Sequence, residues 1–409
     1  MKNLKLDDQP QKHIALFVKS FEGSGGAERV FLNLACGLVA RGHRVDLVMA
    51  RYGGHFLDQI PPEVRVVDLR VRSAKQSLWM LPRLGKDAPF WAKMILTQKP
   101  HFVLGALAGL ANYLKKEQPD VVIASMHYPN SVTVIARDFA QVQSRIILTV
   151  HNTLSQEIAN STRKRSKGNK VDVNKRLFPR ADAVVAVSQG VADDLASTLS
   201  LPDETFTTIY NPVVTKHLEQ QAVEPLIHPW FKEDGPPVLL AVGGLKPAKD
   251  HMTLLKAFAL VRAELHVRLI ILGEGTLREK LTRQAEELSI SADLEMPGFV
   301  DNPYQYMAGA SLFVLSSVFE GFGMVLVEAL ACGCPVVSTD CPNGPSEILE
   351  QGRFGTLVPM KDEHSMAKAI KHALNTPHDT ARLISRGREF SLERGTENYL
   401  ELINTFCGG

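Results

Sequence analysis

Residues 320–349 have the sequence EGFGMVLVEALACGCPVVSTDCPNGPSEIL, and this stretch decides the fold. Its opening glycines, Gly321 and Gly323, precede an apolar run that predicts a helix over Val325–Cys332. Val336–Ser338 then predicts a buried strand. Short apolar strands that alternate with longer helices are typical of a parallel sheet covered by helices. The stretch therefore predicts an α/β fold.

The same alternation extends outward in both directions. Further strands are predicted at Ile14–Val18, Arg44–Met49, Val64–Asp68, Val121–Ala124, Arg145–Val150, Ala183–Val187, Val238–Val242, Val267–Leu272, Leu312–Leu315 and Thr356–Val358. A proline-rich segment interrupts the pattern, and proline restricts the backbone around it. We predict two doubly wound, Rossmann-like domains, residues 1–212 and 237–390, joined by a linker over residues 213–236. A C-terminal helix in residues 391–409 could pack back on the first domain. Because ligands of such sheets bind beyond the carboxyl ends of the strands, a central cleft faced by both domains is the expected site.

Composition excludes several classes of protein. The chain has 409 residues, of which 45% are hydrophobic and 22% charged, as in ordinary globular proteins. Five cysteines are too few for a disulfide-stapled scaffold, and their spacing matches no zinc site. The longest apolar run, Phe102–Ala111, is too short to cross a bilayer. These features predict a cytoplasmic location.

Charge is unevenly distributed between the halves. Residues 1–212 contain 28 Lys and Arg against 19 Asp and Glu, whereas residues 213–409 contain 18 against 25. The net charge of +2 excludes a strongly basic nucleic-acid binder. The positive first half predicts an anionic acceptor or membrane surface, although solvated surface charges would give the same counts.

A glycine-rich loop, GSGGAE at residues 23–28, follows the first strand. Such a loop lets the backbone approach a phosphate at a helix N-terminus. Glu28 occupies the position of the third glycine of a dinucleotide fingerprint, so a nicotinamide or flavin site is disfavoured.

Two glutamates and two lysines form a sharper pattern in the second half. Glu320 and Glu328 stand eight positions apart around the start of the predicted helix, where carboxylates can accept hydrogen bonds from sugar and ribose hydroxyls. A helix cap beside a solvated glutamate would give the same spacing. Lys246 and Lys249 follow two glycines after Val238–Val242 and could bind a diphosphate, or they could be ordinary surface lysines.

Together these segments resemble glycosyltransferase family 4, whose members have the GT-B fold. The matching segments, in order, are GSGGAERV at 23–30, the histidine of LTVH at 148–151, GGLKPAKD at 243–250, GEG at 273–275, PGFVDNP at 297–303 and the long stretch from Glu320 to Leu349. The resemblance spans most of the chain.

The resemblance implies roles for particular residues. Glu320, His151 and Lys249 would be catalytic, with Glu320 on the donor sugar, His151 near sugar and acceptor, and Lys249 on the diphosphate. Glu328 would bind the ribose. The other donor-binding positions implied are Gly25, Gly26, Gly243, Lys246, Gly298, Phe299, Val300, Gly321, Phe322, Gly323, Met324 and Val325. His127 is a candidate on the acceptor side.

One position departs from the family pattern. Gly244 stands where the family usually has an arginine. Because a guanidinium binds phosphate through two parallel hydrogen bonds, its loss must be compensated, either by Lys246 or by another basic residue. The resemblance also implies retention of anomeric configuration, no cofactor and no essential metal.

A basic segment indicates which kind of partner the acceptor-binding domain contacts. Residues 163–180 hold eight Lys and Arg against the single acid Asp172. Cations near aromatic and aliphatic groups suit an anionic lipid surface or a lipid-diphosphate acceptor, and a solvated loop is the alternative. The residues concerned are Arg163, Lys164, Arg165 and Lys167.

The predicted function is transfer of a hexosyl or N-acetylhexosaminyl group from a nucleotide sugar, expected to be UDP-linked, to a saccharide or polyprenyl-diphosphate-linked acceptor. Polysaccharide, lipopolysaccharide or other glycan synthesis is the expected setting, with peripheral attachment to the inner face of a membrane. A sugar-nucleotide 2-epimerase, which shares the two-domain plan, and a non-catalytic nucleotide-sugar-binding partner are the alternatives.

Overall fold

The computed structural model describes residues 10–22, 26–70, 88–89, 100–159 and 164–407. It divides into two compact units. The first unit contains the chain up to Val187, then Val191–Pro212 and the C-terminal segment from Leu392. The second unit contains Ser188–Gly190 and Val213–Ser391.

The first unit is built on a parallel sheet. Within the described residues its strands are β1 (His13–Val18), β2 (Arg44–Met49), β3 (Arg65–Asp68), β4 (Val121–Ser125), β5 (Arg145–Val150), β6 (Ala183–Ala186) and β7 (Phe206–Thr208). Their spatial order is β3-β2-β1-β4-β5-β6-β7. The helices are α1 (Gly26–Ala40), α2 (Pro100–Glu117), α3 (His127–Ala140), α4 (Leu154–Ala159), α5 (Lys164–Leu177) and α6 (Gln189–Leu199). The inner strands are buried on both faces, as near-continuous apolar strands require.

The second unit repeats this plan. Its strands are β8 (Val238–Val242), β9 (Arg268–Leu272), β10 (Leu294–Gly298), β11 (Leu312–Leu315), β12 (Val336–Thr339) and β13 (Thr356–Val358). Their order is β10-β9-β8-β11-β12-β13, all parallel. The helices are α7 (Lys216–Ala222), α8 (His251–Arg262), α9 (Arg278–Glu287), α10 (Pro303–Gly309), α11 (Met324–Ala331), α12 (Pro345–Ile348), α13 (Glu363–Asn375) and α14 (Thr380–Arg388). Two Rossmann-like sheets confirm the predicted α/β fold class.

The order of strands reverses beside the first strand of each sheet. β1 lies between β2 and β4, and β8 lies between β9 and β11. At such a switch point the loops after neighbouring strands diverge to opposite faces and leave room for a ligand. The loops that follow β8 and β11 are those of Lys249 and Glu320.

Residues 213–236, expected as a linker, are packed into the second unit. They contain α7, whose first turn is capped by the Thr215 side chain. Asn302 donates to the Gln221 carbonyl at 2.9 Å and to Glu224 at 2.7 Å. Farther along, the Phe231 ring packs edge-on against Tyr306 at 5.9 Å. Side-chain contacts therefore hold this segment against the start of α10 and against Tyr306 within it.

The C-terminal helix, α15 (Leu392–Cys407), belongs to the first unit. It packs on α1 at Gly37, where a side-chain Cβ would clash with Thr396. Arg41 also pairs with Glu397 at 3.0 Å. The absence of a side chain at Gly37 is what permits this close helix contact.

Candidate active site

The loops at the carboxyl end of the second sheet interlock near its switch point. Val318 donates its amide to the Ala248 carbonyl at 2.9 Å, and Ser316 Oγ donates to the Lys249 carbonyl at 2.7 Å. From the next strand, Thr339 Oγ1 donates to the Ser317 carbonyl at 2.6 Å. These bonds fix the loops after β8 and β11 to each other and to the end of β12, so side chains on these loops hold defined positions.

Lys249 and Glu320 meet in this region, although 71 positions separate them in sequence. Lys249 Nζ lies 2.5 Å from Glu320 Oε1, and Ser317 Oγ donates to the same oxygen at 2.6 Å. The side chains are 22% and 12% exposed, respectively. The ammonium group of this partly desolvated pair can bind an anion, and the carboxylate can accept hydrogen bonds from hydroxyl groups.

Two glycines create space for the two lysines. A Cβ at Gly243 would lie 3.3 Å from Lys249 Cε, and a Cβ at Gly244 would lie 3.3 Å from Lys246 Cε. Each lysine side chain therefore runs across the backbone of a glycine in the same loop. At Gly244, where the family usually has an arginine, the aliphatic part of Lys246 occupies the adjacent space.

His251 is a buried residue of this region that the sequence analysis did not identify. It is the first residue of α8 and is 3% exposed. Burial, followed by the charge of Lys249, lowers the pKa of His251 to about 4, while the backbone of Gly243 and Gly244 acts in the opposite direction. The ring is therefore neutral at pH 7. In the sequence, its position directly after Lys249 and Asp250 was the signal that could have identified His251 as part of this region.

The start of α11 is shaped by glycine. Gly323 has φ +94° and precedes Met324, the first helical residue. The Phe322 ring is buried and packs edge-on against Phe390 at 5.4 Å, so only its backbone is left for a ligand. Farther along the helix, burial and then the charge of Glu328 raise the pKa of Cys332 to about 12. Glu328 is the fifth residue of this helix and so lies in its second turn, as predicted from the spacing.

The loops after β9 and β10 adjoin the lysine loop. Gly273 donates its amide to the Gly298 carbonyl at 2.7 Å, and a Cβ at Gly273 would clash with the Gly243 carbonyl. Phe299 is 71% exposed, which is unusual for a large apolar side chain. Of Gly298, Phe299 and Val300, which were predicted to line a base pocket, Gly298 adjoins Gly273, and Gly273 in turn adjoins the lysine loop at Gly243.

His151 follows β5 in the first unit. Its Nε2 lies 3.0 Å from Thr149 Oγ1, and its ring packs against Phe31 at 6.3 Å between centroids. Burial lowers the pKa of His151 to about 4. The imidazole is therefore uncharged at neutral pH and can act as a hydrogen-bond partner but not as a cation.

The remaining predicted residues are less completely described. Gly26 and His127 are the first residues of α1 and α3, and Lys164, Arg165 and Lys167 lie in α5. Gly25 and Arg163 lie outside the described residues. Within the described part of the chain, no group of three His, Cys, Asp or Glu side chains is arranged to hold a metal ion. No described helix combines the length and apolar character that a membrane span needs.

Two family models match the chain. The model described as Glycosyltransferase Family 4 matches residues 24–217, and the model described as Glycosyl transferases group 1 matches residues 224–390. Among curated proteins, a Campylobacter jejuni N-acetylgalactosamine-N,N'-diacetylbacillosaminyl-diphospho-undecaprenol 4-alpha-N-acetylgalactosaminyltransferase is 33% identical over 62% of this chain and 67% of its own length. A Salmonella typhimurium lipopolysaccharide 1,6-galactosyltransferase is 31% identical over 43% of this chain and 48% of its own length.

Solved structures share the fold across almost the whole chain. The Anabaena protein HepE, in complex with UDP and glucose, has a TM-score of 0.71 at 20% identity and covers 96% of this chain and 100% of its own. A Rickettsia africae glycosyltransferase has a TM-score of 0.72 at 16% identity and covers 97% of this chain and 99% of its own. With both family models matched in order and a relative 33% identical over two thirds of its length, the chain belongs to glycosyltransferase family 4 and has the GT-B type of fold.

Proposed function

We propose that this glycosyltransferase moves a hexosyl or N-acetylhexosaminyl group from a UDP-sugar to a saccharide or lipid-linked saccharide acceptor. The Campylobacter relative is named for an undecaprenol-diphosphate-linked acceptor, and HepE was solved with UDP and glucose. These names support a UDP-sugar as the donor and a lipid-linked saccharide as the acceptor. The family membership favours transfer over the 2-epimerase and non-catalytic alternatives.

The observation that carries the proposal is the Lys249–Glu320 pair. In the free protein the ammonium group lies against the carboxylate at 2.5 Å. A diphosphate brings two negative charges, and each ammonium–phosphate contact at ~4 Å is worth about 4 kcal/mol at an effective dielectric constant near 20, before desolvation. Donor binding would draw Lys249 onto the phosphates. Glu320, still held by Ser317, could then accept hydrogen bonds from sugar hydroxyls.

The reaction that we propose retains configuration and needs no metal. The bond between the anomeric carbon and the β-phosphate oxygen breaks, and UDP leaves with the electron pair. The acceptor oxygen forms its new bond on the face that UDP leaves and loses its proton to a phosphate oxygen. Lys249 and Lys246 would stabilise the negative charge that develops on the diphosphate.

We also propose that α5 contacts an anionic membrane surface or a lipid-diphosphate acceptor. The segment from residue 163 to 180 has seven more cations than acids. Within it, Lys170 is already engaged with Glu157 at 2.9 Å, whereas Lys175 is exposed at the end of the helix. Clusters of cations on a helix attract anionic lipid by about 1 kcal/mol per residue near the surface.

Two variants test the proposed site. The assay first identifies, by thermal stabilisation, which of UDP-glucose, UDP-galactose, UDP-GlcNAc and UDP-GalNAc binds best. Glu320→Gln should then lower UDP release from that donor about 100-fold while UDP affinity changes less than about threefold. Lys249→Met should weaken UDP binding about tenfold or more, measured by calorimetry.

Lys256→Met is the matched control, because Lys256 also pairs with a glutamate, Glu363 at 3.5 Å, but on the helices α8 and α13. It should leave both measurements unchanged. Normal turnover in Glu320→Gln, or normal UDP affinity in Lys249→Met, would remove that residue from the site. Product stereochemistry by NMR and turnover in the presence of a chelator test retention and metal independence.

A further inference from the structure

The hydroxyl of Thr149 lies between a carbonyl and the ring of His151. Thr149 is the penultimate residue of β5 and is completely buried. Its Oγ1 lies 2.9 Å from the carbonyl oxygen of Ala124 on the neighbouring strand β4 and 3.0 Å from His151 Nε2. Both distances are those of good hydrogen bonds.

These two contacts together determine where the protons lie. A carbonyl oxygen can only accept, so the single hydroxyl proton of Thr149 points to Ala124. The hydroxyl oxygen can then only accept from His151, and Nε2 must carry a proton. A neutral imidazole has one N–H group, which leaves Nδ1 as an acceptor.

The surrounding structure supports a neutral imidazole ring that is held in place with its proton on Nε2. Burial lowers the pKa of His151 to about 4, so the ring is neutral at pH 7. Asn130 Nδ2 donates to the Thr149 carbonyl at 3.0 Å, which holds the end of β5 in place. Phe31 packs against the imidazole and restricts its rotation. Within the described residues, the structure gives Nδ1 no hydrogen-bond partner.

We propose that Thr149 is a positioning residue, which fixes His151 as the Nε2–H tautomer so that Nδ1 accepts a hydrogen bond from a hydroxyl group of the sugar substrate. The proposal rests on the proposed function for the identity of the ligand. The tautomer itself is a property of the free protein. An unprotonated Nδ1 accepts a hydrogen bond from a sugar hydroxyl, whereas its lone pair repels an anionic group. The tautomer therefore favours a sugar over an anion at this position.

The direct test is the ¹⁵N NMR spectrum of the histidine side chains in the free, full-length protein, with His151 assigned through His151→Gln. We expect a protonated Nε2 and an unprotonated Nδ1 at pH 7. A protonated Nδ1 would overturn the proposal whether or not the protein turns over any UDP-sugar. The result of this measurement therefore does not depend on whether the proposed function is correct.

Variants of Thr149 test the positioning role. Thr149→Val removes the hydroxyl at nearly constant volume, and it should give a mixture of tautomers and lower UDP release from the preferred UDP-sugar about threefold to tenfold. Thr149→Ser should restore both the single tautomer and the rate. Unchanged tautomer populations in Thr149→Val, or no recovery in Thr149→Ser, would contradict the role.

Thr133→Val is the matched control for loss of a buried threonine hydroxyl. Thr133 is also fully buried, and its Oγ1 donates to the Pro129 carbonyl at 2.8 Å within α3. The Thr133→Val variant should reproduce any general effect that loss of a buried hydroxyl has on stability, while leaving the His151 signals and the rate of UDP release unchanged. If Thr133→Val shifts the tautomer equally, the effect of Thr149→Val is structural and the proposal is wrong.

Discussion

At the scale of single residues, Lys246 lies beside Gly244, the position that departs from the family pattern. Gly244 has no side chain, and the Lys246 side chain lies across it. Lys246 is exposed and, within the described residues, has no acidic partner. Its ammonium group is therefore available to a diphosphate without first breaking an ion pair, unlike that of Lys249.

We predict that Lys246→Met weakens UDP binding about threefold to tenfold, the modest effect expected for an exposed cation. The loss should be smaller than that of Lys249→Met and should diminish at high salt, because exposed charges are screened. Calorimetry at two ionic strengths measures both effects. Equal UDP affinities for Lys246→Met and the wild-type protein would show that another group compensates for the missing arginine.

Part of this arrangement could be predicted from sequence. Lys249 and Glu320 each follow a strand, and loops at one end of a parallel sheet converge, so their proximity was expected. The tautomer of His151 could not be predicted, because it depends on where the Thr149 hydroxyl proton points. His251 was missed because a lone histidine at a helix start resembles any surface residue until its burial is known.

At the scale of elements, the two strands that the sequence analysis missed both lie at sheet edges. β7 and β10 each end the strand order of their sheet. β10 contains Pro297, which cannot donate to a ladder but is tolerated at an edge. Edge strands are less apolar because they are less buried, so their pattern is weak. The buried inner strands were predicted within one or two residues of their observed bounds.

The basic helix α5 carries a prediction at this scale. Replacing Lys164, Arg165 and Lys167 with glutamate should abolish sedimentation with phosphatidylglycerol-containing liposomes at low salt, because the charge that attracts the lipid is reversed. The wild-type protein should bind these liposomes and not neutral ones, and the binding should fall as salt increases.

The corresponding control reverses cations on α9, with Lys280→Glu and Arg283→Glu, which are exposed in the second unit. These changes should leave liposome binding intact. If the wild-type protein fails to sediment with anionic liposomes at low salt, α5 does not bind a membrane surface.

At the scale of the whole molecule, a buried carboxylate makes stability depend on pH. Asp46 on β2 is completely buried. Arg65 donates to it through Nε at 2.9 Å, Tyr113 through its hydroxyl at 2.6 Å, and His13 Nε2 lies 2.8 Å away. Burial alone would raise the pKa of Asp46, but the hydrogen bonds from Arg65, Tyr113 and His13 together hold it below its ordinary value.

A carboxyl group whose pKa is depressed by folding stabilises the native state above its unfolded pKa, about 3.9, and loses that contribution as the pH falls through the folded value. Asp46→Asn should therefore cost about 1–3 kcal/mol at pH 7, because the amide nitrogen cannot accept the hydrogen bonds that the carboxylate accepts. Arg65 keeps its second acidic partner, Glu117 at 3.0 Å, so its charge is not left unpaired. The difference from wild type should shrink below about pH 4. Hydrogen exchange of the β2 and β3 amides measures this locally, with the exposed Asp58→Asn as control.

The return of α15 to the first unit has a practical consequence for dissecting the protein. An expression fragment that stops at Pro212 would expose the surface of α1 around Gly37, which Leu392 and Thr396 otherwise cover. Such a fragment would tend to aggregate through that uncovered apolar surface. A fragment designed to isolate this half should carry residues 392–407 joined to Pro212, where Gly395 already lies against the proline ring.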